Sequence, residues 1–464
     1  MKIWISILML LSGLPLYSQS KTFVRSYTYL AGIGDNKMSS GTLALYNVKR
    51  ALLQEISLYL QNTSADGSTE KASAFSRLDS GQICSILGGV TNTKIVNEHW
   101  NGKKYLIEAS VSVNRTEVTK SISTIVNDRD KMKDLVITGW RADSAATLMD
   151  TLRELIAGEK DVSKRKEELA HYASAARILS ASLWFEEGYG ADVMKKRDKR
   201  ILFFEKAIEL DPEYSEAYHN LGLSYYSNGD TGKAISLFQK AIALNPGYSR
   251  AYDDLGFAYV GEDSIDKAIP MFNRAIELDA NDSYGYDDLG YAYYKKGDLE
   301  KAIEFHETAI RIDPNDSYGY AALGHYYAVT DSVDKAIPLL QKAIELDPNN
   351  AFAYDNLGFV YADLDSVDKA IFLYKKAIGI SPQHPRAFYN LGNAFSKKGN
   401  TDTAIVMYMK AIKLDPKFSS AYYNLGLAYD KKGETRKGAD CLKKAALLGN
   451  KDAQSWLEQN GYAK

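Results

Sequence analysis

The dipeptide Leu-Gly recurs at a fixed spacing of 34 residues, seven times without slippage: Leu221-Gly222, Leu255-Gly256, Leu289-Gly290, Leu323-Gly324, Leu357-Gly358, Leu391-Gly392 and Leu425-Gly426. A period of this length means that the chain from residue 215 onward is a stack of like units. Each is too small to bury its own apolar face and must pack on its neighbours. Such a stack builds an extended surface rather than one pocket, so this half of the chain is expected to bind rather than catalyse.

Setting each glycine at position 8 starts the units at Ser215, Ser249, Ser283, Ser317, Ala351, Pro385 and Ser419. Position 4 then carries Tyr218, Tyr252, Tyr286, Tyr320, Tyr354, Phe388 and Tyr422, and position 11 Tyr225, Tyr259, Tyr293, Tyr327, Tyr361, Phe395 and Tyr429. Positions 4, 7, 8 and 11 share a helical face, which predicts that ring, leucine and glycine pack inward together. The glycine marks a close approach by a neighbouring helix. A second helix starts after Asp230, Ser264, Asp298, Ser332, Ser366 or Asn400, each suited to bond a free first-turn N–H; Glu434 is a poor cap. Prolines such as Pro212, Pro246 and Pro314 end the second helices, whereas Pro270 and Pro338 fall inside them and each remove a hydrogen bond. His306 stands where other units place Phe238, Phe272, Leu340, Tyr374, Tyr408 and Leu442, and reads as a buried, hydrogen-bonded histidine.

Over about residues 181–464 this pattern resembles the tetratricopeptide repeat family. The resemblance implies a mainly α fold, a right-handed α-solenoid or superhelix. Seven units fill 215–452. A degenerate unit at 181–214 carries Trp184, Gly188, Phe204, Ala207 and Pro212, and a capping helix at 453–464 carries Trp456 and Leu457. If one face of each first helix is core, positions 2, 5, 6, 9 and 13 line the concave side. Position 6 reads Asn220, Asp254, Asp288, Ala322, Asn356, Asn390 and Asn424, a polar ladder broken once. Carboxamides donate to and accept from a peptide backbone, and the resemblance implies that such a ladder holds an extended partner segment. Asp253, Asp254, Asp287, Asp288 and Asp355 make its middle acidic, favouring a basic or neutral partner. Arg250 and Arg386 lie too many units apart to clamp a C-terminal carboxylate.

The first 20 residues read as a secretory signal peptide: Lys2, an apolar run from Ile3 to Leu16, and small residues for cleavage after Ser18 or Ser20. The mature chain is then exported, to the periplasm and cell envelope or beyond, with no membrane span. Residues 21–115 read as a small α+β domain. Phe23–Leu30 is strand-like, Gly32–Asn36 a turn, and Ser39 or Ser40 caps a helix to about Leu60, with Leu45, Val48, Leu52, Ile56 and Tyr59 on one face. Asn62–Thr69 reads as a loop. Asn101-Gly102 predicts a hairpin with a type I′ turn between Thr93–Trp100 and a strand in which Tyr105, Ile107, Ala109, Val111 and Val113 alternate with polar residues. This strand–helix–hairpin layout resembles the envelope domains at the start of flagellar assembly protein T and of some small lipoproteins, which implies an envelope role. Residues 116–180 read as a helical connector, with Leu148, Leu152, Leu155 and Ile156 on one face, and Leu169, Tyr172, Ala176 and Leu179 on another.

A formal charge of −2 leaves no electrostatic footprint for nucleic acid. Cys84 and Cys441 are too few for a disulfide framework. Phosphate loops, metal-spaced His/Cys clusters and nucleophile elbows are lacking, so no catalytic residue, metal or cofactor is assigned. Gly32-Ile33-Gly34 lacks the rest of a dinucleotide fingerprint. The leading reading is an exported protein–protein interaction scaffold within an envelope assembly, with self-association open. Two alternatives remain: an enzyme with its site in residues 21–190, where only Glu98, His99 and Glu108 stand near one hairpin, and a self-assembling rod.

Overall fold

The computed structural model describes residues 20–32, 35–62, 80–91, 93–114, 117–118, 121, 129–193 and 197–460. Most of the run expected to be a leader, the stretch 63–79 and the last four residues lie outside them. The chain divides into two compact units, Met1–Glu262 and Asp263–Lys464. Among the described residues no helix is long and apolar enough to cross a membrane.

The first unit opens with strand β1 (Ser20–Leu30), α1 (Lys37–Asn62), α2 (Ser80–Val90), β2 (Thr93–Trp100) and β3 (Lys104–Asn114). The strands form one antiparallel sheet in the order β1-β3-β2. The alternation in β3 is as expected: Tyr105, Ile107, Ala109, Val111 and Val113 are buried, and α1 packs on β1 and β3. In β2 the register slips between Ile95 and Asn97, leaving Val96 as a bulge. The bulge keeps Thr93, Ile95, Glu98 and Trp100 opposite the inward residues of β3.

Two local expectations need correction. The cap of α1 is Asn36, not Ser39 or Ser40: Ser39 N–H donates to Asn36 Oδ1, and Asn36 N–H donates to Ser39 Oγ, each at 3.0 Å. The reciprocal pair satisfies two donors at once, which neither serine achieves alone. The hairpin is present, but its turn is not type I′, because only Gly102 has positive φ (+85°). The Asn101 side chain instead accepts from the Lys103 and Lys104 amides at 3.0 and 2.8 Å, an Asx-type closure.

Next come α3 (Arg129–Gly158), α4 (Val162–Val193), α5 (Arg197–Leu210), α6 (Ser215–Ser227), α7 (Thr231–Leu244) and α8 (Ser249–Gly261). In α3 the buried face is Ala145, Met149, Leu152 and Ile156, while Leu148 and Leu155 are exposed. Helix α4 runs through residue 180, and one core cluster extends from Phe23 to Leu221. Sheet, connector and first repeat share a single apolar interior.

The second unit holds α9 (Ile265–Leu278), α10 (Ser283–Lys296), α11 (Leu299–Ile312), α12 (Ser317–Val329), α13 (Val333–Leu346), α14 (Ala351–Asp363), α15 (Val367–Ile380), α16 (Pro385–Lys397), α17 (Thr401–Leu414), α18 (Ser419–Lys431), α19 (Thr435–Leu447) and the closing α20 (Lys451–Gln459). Every first helix starts at the residue the Leu-Gly frame names. Pro270 and Pro338 sit inside α9 and α13 without ending them.

The close approach at position 8 is real and its partner is position 24 of the same repeat. A Cβ on Gly222 would lie 2.6 Å from the Phe238 ring, on Gly358 2.7 Å from Tyr374, and on Gly392 2.6 Å from Tyr408. Gly188 meets Phe204 in the same way at 2.5 Å. The buried face of the first helices is centred on positions 3, 7 and 10, as with Ala217, Leu221 and Ser224, rather than on 4 and 11. The position-11 rings are half-buried and lie under lysines of the second helix, for example Lys233 over Tyr225 at 4.9 Å and Lys369 over Tyr361 at 5.0 Å.

The caps divide into two kinds. Asp230, Asp298 and Asn400 follow a positive-φ glycine and accept from the third amide of the helix. Ser264, Ser332 and Ser366 make no side-chain cap bond, contrary to expectation. They follow Asp263, Asp331 and Asp365, which hold φ near +57° to +59°. At Ser264 and Ser332 the backbone carbonyl takes that third amide instead, from Lys267 and Lys335.

Candidate functional site

The polar residues of the first helices do not stand open; they stitch one first helix to the next. Three bonds share one geometry, linking position 5 of one repeat to position 6 of the following one. His219 Nε2 lies 2.6 Å from Asp254 Oδ2, Asn390 Nδ2 donates to Asp355 Oδ1 at 3.0 Å, and Asn424 Nδ2 donates to the Tyr389 hydroxyl at 3.1 Å. Position 2 adds to the seam. Arg386 donates to Asp355 at 2.7 Å and to Asn356 at 2.9 Å. Asp355, Asn356 and Asn390 are thus brought together, and Asp355 is fully buried. Asn424 donates also to Asn393 at 2.8 Å.

In the first unit the seam ends on Asp134 of α3, a buried carboxylate that sequence reading passed over. It accepts from Tyr189 at 2.6 Å, Arg250 at 3.0 Å, and Asn220 and Tyr248 each at 3.2 Å. Burial, and the Asp134 charge after it, push the Tyr189 and Tyr248 phenols far up. Four donors around one carboxylate tie the connector to α4, α6 and the start of α8. Arg250 and Arg386 are therefore internal braces.

Where position 6 is Ala322, the ladder is interrupted and Asp287 turns inward. Its Oδ1 lies 2.6 Å from His306 Nδ1, and His306 Nε2 lies 3.0 Å from the Tyr326 hydroxyl. Burial first, then the nearby Asp316, raise the Asp287 carboxyl to about 10, while burial lowers His306 to about 3. The contact is a neutral acid on a neutral imidazole, so Asp287 carries no charge at neutral pH. Asp253, Asp254 and Asp288 are half-buried and supply the remaining acidity.

What faces outward instead is aromatic. Position 2 carries Tyr284, Tyr318 and Phe352 in three successive repeats, and position 9 carries Tyr291, His325 and Phe359. Tyr284 is 63 % exposed, Phe359 42 % and Tyr318 39 %. Tyr318 and Phe352 stack at 6.0 Å between centroids, and His325 lies 5.9 Å from Phe352. Columns 2 and 9 were legible in the sequence, had they been read beside column 6.

Family profiles match this region. One described as TPR repeat covers residues 332–365, 360–399 and 392–433. Two described as tetratricopeptide repeat cover 215–248 and 288–316, and 249–282 and 419–448. The repeat region, residues 215–448, belongs to the tetratricopeptide repeat family. Among solved structures, the APC/C hetero-tetramer Cut9-Hcn1 is similar at 16% identity and a TM-score of 0.50, over 74% of this chain and 75% of that one. MamA is 32% identical over 36% of this chain and 97% of its own, with a TM-score of 0.30. YrrB, described as a TPR protein with an unusual peptide-binding site, is 27% identical over 40% of this chain and 95% of its own, with a TM-score of 0.29. No curated protein matches the chain. The tetratricopeptide repeats make this a protein–protein interaction scaffold, with a three-stranded α+β region ahead of its solenoid.

Glu98, His99 and Glu108 do not converge. Glu98 pairs across from inward-facing Ile107 and accepts from Tyr105 at 2.7 Å, while His99 and Glu108 lie on the other sheet face.

Proposed function

We propose that this scaffold is exported to the cell envelope and grips an extended partner segment along the first helices of its second unit, without catalysis of its own. The observation that supports it is the exposed aromatic stripe of Tyr284, Tyr318 and Phe359, flanked by Phe352 and His325. Rings held on rigid helices bury much area for little lost entropy, which suits an anchor. Of the ladder residues, Asp287, Asp355, Asn356 and Asn390 act in this reading by fixing helices that carry the rings. With Asp287 neutral and Asp355 paired, the groove suits a neutral to basic segment bearing apolar side chains. Export rests on the leader-like residues 1–20.

The test is a crosslinking pull-down from envelope extract with the mature chain beside a Tyr284→Ala/Phe359→Ala variant of equal urea midpoint. Capture by the first and loss by the second supports the groove. Equal capture by both places the partner elsewhere on the chain.

A further inference from the structure

The first unit contains a cavity of about 600 Å³ between the start of α1, the inner face of β2 and β3, and α4. None of its lining residues belongs to the aromatic stripe. Leu45, Ile107, Leu183 and Trp184 give it apolar walls from three sides. The volume is in the range of small-molecule sites. It arises because β2 carries the sheet beyond the part that α1 covers, and Ile95 on that strand is exposed.

Two polar groups on the wall keep unused hydrogen-bonding capacity. Thr93 Oγ1 is buried with no partner among the described residues. Lys49 is buried, with Nζ 2.8 Å from Glu186 Oε2 and 3.5 Å from Glu187 Oε1. An ammonium has three donors, so two carboxylates leave one over. Those carboxylates also fix the sign of the site. Lys49 is already outnumbered by Glu186 and Glu187, and Glu98 on the opposite wall offsets the exposed Lys37 at the rim, so a ligand anion would be desolvated beside surplus negative charge.

We propose that this cavity binds an uncharged amphiphile, a small apolar molecule whose single hydroxyl or carbonyl end meets Thr93 and Lys49. The apolar body lies against Leu45, Leu183 and Trp184. The chemistry excludes fatty-acid-like anions of the same length.

Nile red, a neutral probe, tests this on the full chain, with 1-decanol and decanoate as competitors at pH 7.5. Saturable Nile red binding is expected, displaced by decanol at a concentration at least about tenfold lower than by decanoate. Leu183→Trp fills the cavity and is expected to abolish displaceable binding. Thr93→Val keeps the shape, removes the hydroxyl, and is expected to weaken decanol about threefold to tenfold. The Tyr284→Ala/Phe359→Ala variant is expected to bind the probe unchanged, which separates this site from the groove. Near-ultraviolet circular dichroism checks that each variant is folded. No displaceable binding, undiminished binding by folded Leu183→Trp, or decanoate competing as well as decanol would each overturn the proposal.

Discussion

Gly358→Ala isolates the contact that sets the repeat. The added methyl would lie 2.7 Å from Tyr374 Cε1 and 2.9 Å from Cδ1. Tyr374 is buried, so its ring has no free space to retreat into. Alanine gains up to about 1 kcal/mol of helix propensity over glycine. Forcing a methyl into a packed seam costs about 1–3 kcal/mol. The net expectation is a loss of about 1–2 kcal/mol, opposite in sign to propensity alone. Tyr374→Ala removes the obstacle at a cost of about 3–5 kcal/mol, and in that background Gly358→Ala is expected to be neutral or stabilising by up to about 1 kcal/mol. The cycle should therefore show a coupling of about 2 kcal/mol. Repeat arrays do not always unfold in one step, so the urea midpoint is read together with hydrogen exchange in α14 and α15. A Gly358→Ala protein as stable as wild type, or additive effects in the cycle, would refute the argument that position 24 dictates glycine at position 8.

Three further expectations follow from the buried polar groups. Asp287 holds its proton to about pH 10 when folded but releases it near 4 when unfolded. Its stabilising contribution is therefore full below about pH 4 and lost as pH rises towards 10, at up to about 1.4 kcal/mol per pH unit. Asp287→Asn should gain on wild type steadily from pH 5 to pH 9 in urea titrations; parallel curves would contradict the neutral-acid assignment. His306 works in the other direction, refusing a proton that the unfolded chain binds near 6.5, so its contribution is lost as pH falls towards 3. Arg386→Leu leaves Asp355 buried without its cation and is expected to cost about 3 kcal/mol, with part of the loss recovered by adding Asp355→Asn. Equal stability of the single variant and wild type would show that the brace is idle.

The repeat frame was legible because each of its marks has a local cause. A Leu-Gly pair every 34 residues, with its glycine forced by the ring or leucine packed on it, places every first helix to the residue. The orientation of the polar columns was not legible by the same route. Whether Asn356 faces solvent or Arg386 depends on a side chain 30 residues away in the next repeat, and periodicity within one helix carries no term for that. The same holds at Asn101, where the dipeptide announces a hairpin but its own side chain closes the turn. Asp134 was invisible for a further reason. It sits in a connector with no repeat to compare with, and its four donors come from residues 189, 220, 248 and 250.

The inward polar seam changes how loss of function in such a chain is to be read. A substitution at Asn390 or Asn424 removes a bond between consecutive first helices, and at Asn390 the bond lost is to the helix that carries Phe352 and Phe359, so it disturbs packing before it alters any contact with a partner. Buried acceptors left unpaired, such as Asp355 after loss of Asn390, cost about 1–3 kcal/mol each, enough to loosen a repeat held only by its two neighbours. An alanine scan of the ladder would then show lost binding at every step, whether or not a partner touches a single ladder residue. The exposed rings separate the two cases. Tyr284 and Phe359 can be truncated with little loss of packing, so a binding defect at those positions at constant stability reports contact. The same defect at Asn390 or Asn424 with a lowered urea midpoint reports geometry.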